Sequence, residues 1–193
     1  MIKKRYLWLL AFALLFLDQI TKYWARHVLR EVDKISVIKG VFSFSYVENR
    51  GAVWGVLQGK YMALAIMTVF ITLALIYFIY KIPQDRKYNY LQLTMVLLTS
   101  GAVGNLFDRL YFRYVTDFLY FELIDFPVFN VADCYVTVSA FLLILLFCFY
   151  YKEKDLEFFP FMELKWFHKD RDEKEDEGKE KKKEKQEPDE KET

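Results

Sequence analysis

Two aspartates, Asp117 in "YVTDFLYF" and Asp133 in "FNVADCYVT", stand at either end of one short excursion through Pro127. Asp117 lies among aromatic and β-branched residues, with no basic neighbour closer than Arg113. Asp133 lies at the mouth of a long apolar run, where a carboxylate costs free energy unless something pairs it or uses it. Two carboxylates brought close in a low-dielectric setting cannot both ionise easily, so one pKa rises while the other stays low. Such a pair supplies a general acid and a general base together. The base takes a proton from water as the acid donates to a carbonyl oxygen, which is the aspartic-protease logic of amide hydrolysis. Other chemistries lack their residues: the histidines are His27 and His168 alone, no GxSxG or HExxH occurs, and no Gly-rich phosphate loop follows a strand. Two aspartates and an asparagine are too few ligands for a metal site, so neither a metal nor another cofactor is expected.

More polar residues gather at the same level. "FLDQITKYW" places Asp18 and Lys22 four apart on one helical face, within reach of an ion pair. "SGAVGNLFDRL" places Asn105, Asp108 and Arg109 on one face, because steps of three and four residues return to it. "FNVADCY" adds Asn130. Each has a purely structural reading as well. Asn130 followed by Asp133 is close to a helix N-cap arrangement, Asp18 with Lys22 and Asp108 with Arg109 are simple ion pairs, and Ser100, Gly101 and Gly104 resemble a small-residue helix contact. Cys134, beside Asp133, has no His near it in sequence and reads as a small packing residue.

The elements that must position these residues are membrane-length. Four apolar runs, Tyr6 to Trp24, Tyr61 to Tyr80, Tyr90 to about Phe107 and Val131 to Tyr151, are each long enough to cross a ~30 Å hydrocarbon layer at roughly 1.5 Å per residue. Tyr and Trp stand at most of their ends, as interfacial anchors do. The fold class expected is an all-α membrane protein with four transmembrane helices. "MIKKRYLWLLAFALLFL" also resembles a secretory signal, but "DQITKYWARHV" offers only Ala25 as a small residue for cleavage, so an uncleaved first span is expected. Cys134 and Cys148 share one predicted helix about 21 Å apart along its axis and cannot bridge each other.

Of the 193 residues 27% are charged, yet the net charge is +1. The charges concentrate at the end, where "KDRDEKEDEGKEKKKEKQEPDEKET" cannot bury enough apolar surface to offset its ordering entropy and is expected to be disordered. The organisation predicted is a transmembrane domain over residues 1–152, then a juxtamembrane aromatic segment and charged tail over 153–193. Lys3, Lys4 and Arg5 at the start, and Lys81, Arg86 and Lys87 in the link between spans two and three, predict both termini on the cytoplasmic side. Basic residues in the loop after the first span run against that orientation. Four alternating spans then put the ends rich in Asp and Asn together on the opposite face. "FSFSYVENRGAVWGVL" alternates like a strand and breaks at Asn49-Arg50-Gly51, and "YVTDFLYF" is strand-like too.

These blocks, "DQITKYW", "YVENRGAVWG", "GAVGNLFDRL", "VTDF" and "FNVADCYVT", in this order and on four spans, resemble lipoprotein signal peptidase, the bacterial signal peptidase II family. The resemblance covers roughly residues 6 to 151. It implies a catalytic aspartyl dyad of Asp117 and Asp133 at the outer surface of the bacterial inner membrane, cleaving prolipoproteins before a diacylglyceryl-modified cysteine. It implies supporting roles for Asp18, Lys22, Asn49, Gly51, Ala52, Gly104, Asn105, Asp108, Arg109 and Asn130. Asn105, Arg109 and Asn49 are expected to hydrogen-bond an extended substrate backbone, Asn130 to orient a carboxylate, and the loop from Arg30 to Lys60 to form a small extracytoplasmic β-cradle. The partners implied are prolipoprotein substrates and membrane lipid, with no nucleic acid, and a monomer is expected. The sequence departs from the family's habit in "GAVWG", with Trp where Phe is common and Val where Ala is common. On the residues alone, a different class competes: a small four-helix ion-coupled transporter using Asp18, Asp108 and Asp133, or a scaffold whose charges only pair.

Overall fold

The computed structural model describes residues 3–32, 34–51, 61–156 and 158. Ala52, the Trp of "GAVWG" and nearly all of the charged tail lie outside the described residues. The chain forms two units, Met1–Tyr150 and Tyr151–Thr193. In the second, Lys152 to Asp155 close a short turn, with the Asp155 carboxylate accepting from the Lys152 backbone N–H at 3.0 Å.

Four helices in the first unit are long and apolar enough to cross a membrane. α1 (Lys4–Trp24) continues through a π-helical turn (Ala25–Leu29) and a last α turn (Arg30–Val32). That makes 29 residues without a break, or about 44 Å, so its final turns stand beyond a ~30 Å hydrocarbon layer. The span read from the sequence stops at Trp24, where apolar composition gives way to Arg26 and His27. The helix does not stop there, because Ala25 and Leu29 are fully buried against Phe118 and the surrounding Trp24, Phe44 and Val131. α2 (Tyr61–Lys81) is apolar on every face, as a lipid-embedded helix is. α3 (Asn89–Tyr111) follows a 3₁₀ turn (Arg86–Tyr88) and is the central helix, packing on α1, on α2 and on α4 (Val131–Leu145), which ends in a π turn (Leu146–Tyr150). Two glycines permit that packing. A Cβ on Gly101 would lie 2.6 Å from the Ala132 carbonyl of α4, and one on Gly104 would lie 2.5 Å from Asp18 Oδ2 of α1. Here the small-residue contact read from the sequence is a helix contact.

Beyond one end of the helices is a three-stranded antiparallel sheet in the order β1 (Lys34–Ile38), β2 (Phe42–Asn49), β3 (Val115–Phe121). β1 and β2 turn on Gly40, at φ +72°, a conformation that only glycine adopts without cost. β2 and β3 correspond to the two strand-like stretches of the sequence; β1 was not anticipated. Arg113, at φ 67°, turns the chain from α3 into β3. The excursion after β3 folds back so that Phe129 pairs with Leu119, with backbone bonds of 2.8 and 3.0 Å in the two directions. That closure brings Asn130 beside Asp117 and starts α4 there.

Candidate active site

The first half of β3 and the start of α4 carry the two aspartates. Asn130 caps α4: its side-chain Oδ1 accepts from the Asp133 N–H at 3.0 Å, and Asp133 Oδ2 accepts from the Asn130 N–H at 3.1 Å. The N-cap reading of this pair is therefore correct, and the capping box also serves a second purpose. With Oδ1 committed to the cap, Asn130 Nδ2 is aimed at Asp117 Oδ1, 2.6 Å away, and at Asn105 Oδ1, 3.2 Å away. Asn105 Nδ2 in turn donates to Asp133 Oδ1 at 2.8 Å. Asn49, at the end of β2, donates to Asp117 Oδ2 at 2.8 Å while its Oδ1 accepts from the Gly51 N–H at 3.0 Å. Three asparagine amides thus hold two carboxylates, each amide fixed by a partner on both its oxygen and its nitrogen.

Asp117 is 2% exposed. Burial, and then the charge of Asp133, push its pKa up to about 7, against the opposing pull of the Asn49 and Asn130 hydrogen bonds and the charge of Lys22. Neither Asp117 nor Asp133 forms an ion pair among the described residues. Both line a cavity of about 720 Å³, together with Asn49, Gly51, Asn105 and Arg109. Its apolar wall is made by Phe126, Phe129, Val136 and Val138. Among the described residues no three His, Cys, Asp or Glu side chains come together to hold a metal ion.

Behind Asn105 lies a second polar group, closed to solvent. Lys22 Nζ sits 3.0 Å from Asp18 Oδ2, 3.5 Å from Asp108 Oδ2 and 2.9 Å from Asn105 Oδ1, with all three charged side chains fully buried. Asp18 Oδ1 accepts from the Ala132 N–H at the first turn of α4 (3.0 Å), and Asp108 Oδ2 from the Thr116 N–H of β3 (3.0 Å). The cluster therefore ties α1, α3, α4 and the sheet together. Gly104 contributes space for Asp18 and a backbone carbonyl to Gln19.

The expected structural pair of Asp108 with Arg109 does not form. Successive residues on a helix point about 100° apart, so Asp108 turns inward to Lys22, with Arg26 at 3.9 Å, while Arg109 turns to the cavity and donates to the Asn105 carbonyl at 3.3 Å. Asn49 and Asn105 each direct one Nδ2 hydrogen bond to a carboxylate, which leaves a second N–H on each amide. The sequence reading passed over Gln19, whose Nε2 contacts Asp18, the Gly104 carbonyl and Asp108; a carboxamide beside Asp18 in an apolar span was its only signal. It also passed over Arg26, which donates to Thr116 Oγ1 at 2.9 Å and stacks 4.2 Å from the Phe112 ring.

Residues 10–149 match the family described as signal peptidase (SPase) II. The lipoprotein signal peptidase of Caldanaerobacter subterraneus subsp. tengcongensis is 45% identical over 129 residues, covering 66% of this chain and 86% of that protein. Its namesake in Nostoc punctiforme is 40% identical over 144 residues, covering 74% and 90%. A solved bacterial membrane enzyme, determined by the in meso method at 2.3 Å resolution, superposes with a TM-score of 0.66 at 34% identity, covering 74% of this chain and 87% of that one.

Proposed function

The chain belongs to the signal peptidase II family, a bacterial membrane peptidase family that removes signal peptides from lipoproteins, and we propose that Asp117 and Asp133 are its catalytic dyad. The reading is carried by one observation: two carboxylates, oriented by a shared asparagine and unpaired with any cation among the described residues, open onto a single cavity.

Asp133, in the first turn of α4 and facing the cavity, is placed to act as the base. Asp117, with its pKa near 7, holds the proton. Asp133 takes a proton from water, the water oxygen bonds to the scissile carbonyl carbon, and the Asp117 proton passes to the carbonyl oxygen. As the resulting gem-diol collapses, the C–N bond breaks, Asp133 returns its proton to the leaving amine, and Asp117 recovers a proton from the diol. Both groups end as they began.

The scissile bond in this reading is the one before a diacylglyceryl-modified cysteine of a prolipoprotein. A peptide must leave its helix to present that bond, and the Arg109 guanidinium, donors facing the cavity, suits an exposed backbone carbonyl. The apolar wall from Phe126 to Val138 suits the diacylglyceryl chains and neighbouring lipid. The basic residues before α1 and between α2 and α3 favour cytoplasmic termini, hence a site at the outer face of the membrane, and the enzyme acts as a monomer.

The test is a gel-shift assay in lipid vesicles, with purified protein and a diacylglyceryl-modified prolipoprotein. Wild type should release the signal peptide, and Asp117→Asn and Asp133→Asn should not, though both insert normally. Equal cleavage by either variant would remove the dyad.

A further inference from the structure

At the end of the bundle opposite the aspartates there is a second cavity. α1 and α2 each pack on α3, and a cleft of about 310 Å³ remains between them. Val96 and Thr99 of α3 form its floor, with Leu7 and Ala11 of α1 and Ile79 of α2 as walls. The Thr99 hydroxyl donates to the Met95 carbonyl at 2.7 Å, and the other inner walls are apolar, so in a bilayer the depth of the cleft suits hydrocarbon.

Lys4 and Gln84 line its mouth, and more basic residues flank this end of the bundle. Lys3 precedes α1, Lys4 and Arg5 begin it, Lys81 ends α2, and Arg86 and Lys87 lie in the 3₁₀ turn of the link that leads into α3. The acid within that link, Asp85, caps the Lys87 N–H at 2.8 Å. Lys4 Nζ stands 4.8 Å from the centroid of the Tyr80 ring, and both residues line the cleft. The aromatic face holds the ammonium at the mouth and leaves its N–H donors for an anion.

We propose that this cleft binds one anionic phospholipid, with an acyl chain along Leu7, Ala11 and Val96 and the phosphate at Lys4. Basic pockets between transmembrane helices select anionic headgroups in this way, each Lys contributing about 1 kcal/mol. The site does not depend on the catalytic reading and shares no residue with it.

Native mass spectrometry tests the proposal, using full-length protein in detergent with equal amounts of phosphatidylglycerol and phosphatidylcholine of matched acyl chains. Wild type should retain phosphatidylglycerol preferentially. Lys4→Gln should cut that preference about fivefold, and Ala11→Phe, which fills the cleft, should lower retention of both lipids. Lys4→Gln is on the surface and should keep full peptidase activity, so its lipid ratio decides the matter even if Ala11→Phe misfolds. Equal retention of the two lipids by wild type would overturn the proposal, as would an unchanged ratio in Lys4→Gln. A wild-type dimer that Ala11→Phe dissolves would place a second copy of the chain in the cleft and overturn it too.

Discussion

Asn105 separates two pairs of aspartates: Asp18 of α1 and Asp108 of α3 are fully buried, and of the other two Asp117 of β3 is nearly as buried while Asp133 of α4 is half-buried. On one side Asp18 and Asp108 close on Lys22, with backbone N–H groups of Ala132 and Thr116 completing the shell. On the other side Asp117 and Asp133 receive asparagine amides and a backbone N–H, and face a cavity. Burial alone therefore does not mark a reactive carboxylate. A cation within 4 Å satisfies the charge and leaves the group inert, whereas neutral amide donors orient it without cancelling it. The same difference weakens the carrier reading, since two of the carboxylates a transported cation would need are already partnered by a fixed ammonium.

The contrast should be sharpest when one member of each pair is replaced. Asp117→Asn should lower the cleavage rate by roughly 10²- to 10⁴-fold with helical content retained. Next in size, Lys22→Met leaves two buried carboxylates facing each other and should destabilise the fold by about 3–5 kcal/mol, read as thermal unfolding in detergent. If Lys22→Met unfolds like wild type, the distinction between a closed and an open pair is broken.

A smaller effect is expected where the closed pair needs space. Gly104→Ala drives a methyl against Asp18 Oδ2 and should cost about 1–3 kcal/mol. Replacing the nearby exposed Phe107 by Ala, by contrast, should leave the unfolding temperature almost unchanged.

The gentlest probe concerns the open pair's titration. If Asp117 must be protonated, kcat/KM should fall as pH rises through about 7. The Asn49 N–H stabilises the ionised form of Asp117, so Asn49→Ala should raise that pKa and move the alkaline limb to higher pH, while slowing the reaction about tenfold through lost orientation. A limb that stays put or moves down would assign the proton elsewhere.

Local spacing made part of this site legible. Asp18 with Lys22 is a four-residue helical step, Asn130 with Asp133 is a capping pattern, and β2 and β3 alternate as strands do. The span ends were less legible, because α1 runs on past Trp24 for packing reasons that its own composition does not carry. β1 was missed since all five of its residues are exposed, leaving no buried face to imprint a pattern.

The sequence by itself determined that four helices span a membrane, that polar residues concentrate at one set of their ends, and that two aspartates flank one excursion. Those properties follow from composition and from periods of two to four residues. Only the tertiary structure decided which carboxylates are neutralised. Lys22 reaches Asp108 across 86 positions and Asn49 reaches Asp117 across 68, and at such separations no local period relates the partners. Their pairing is set by how closely α1, α3 and α4 approach over Gly101 and Gly104 and by the turn that pairs Phe129 with Leu119.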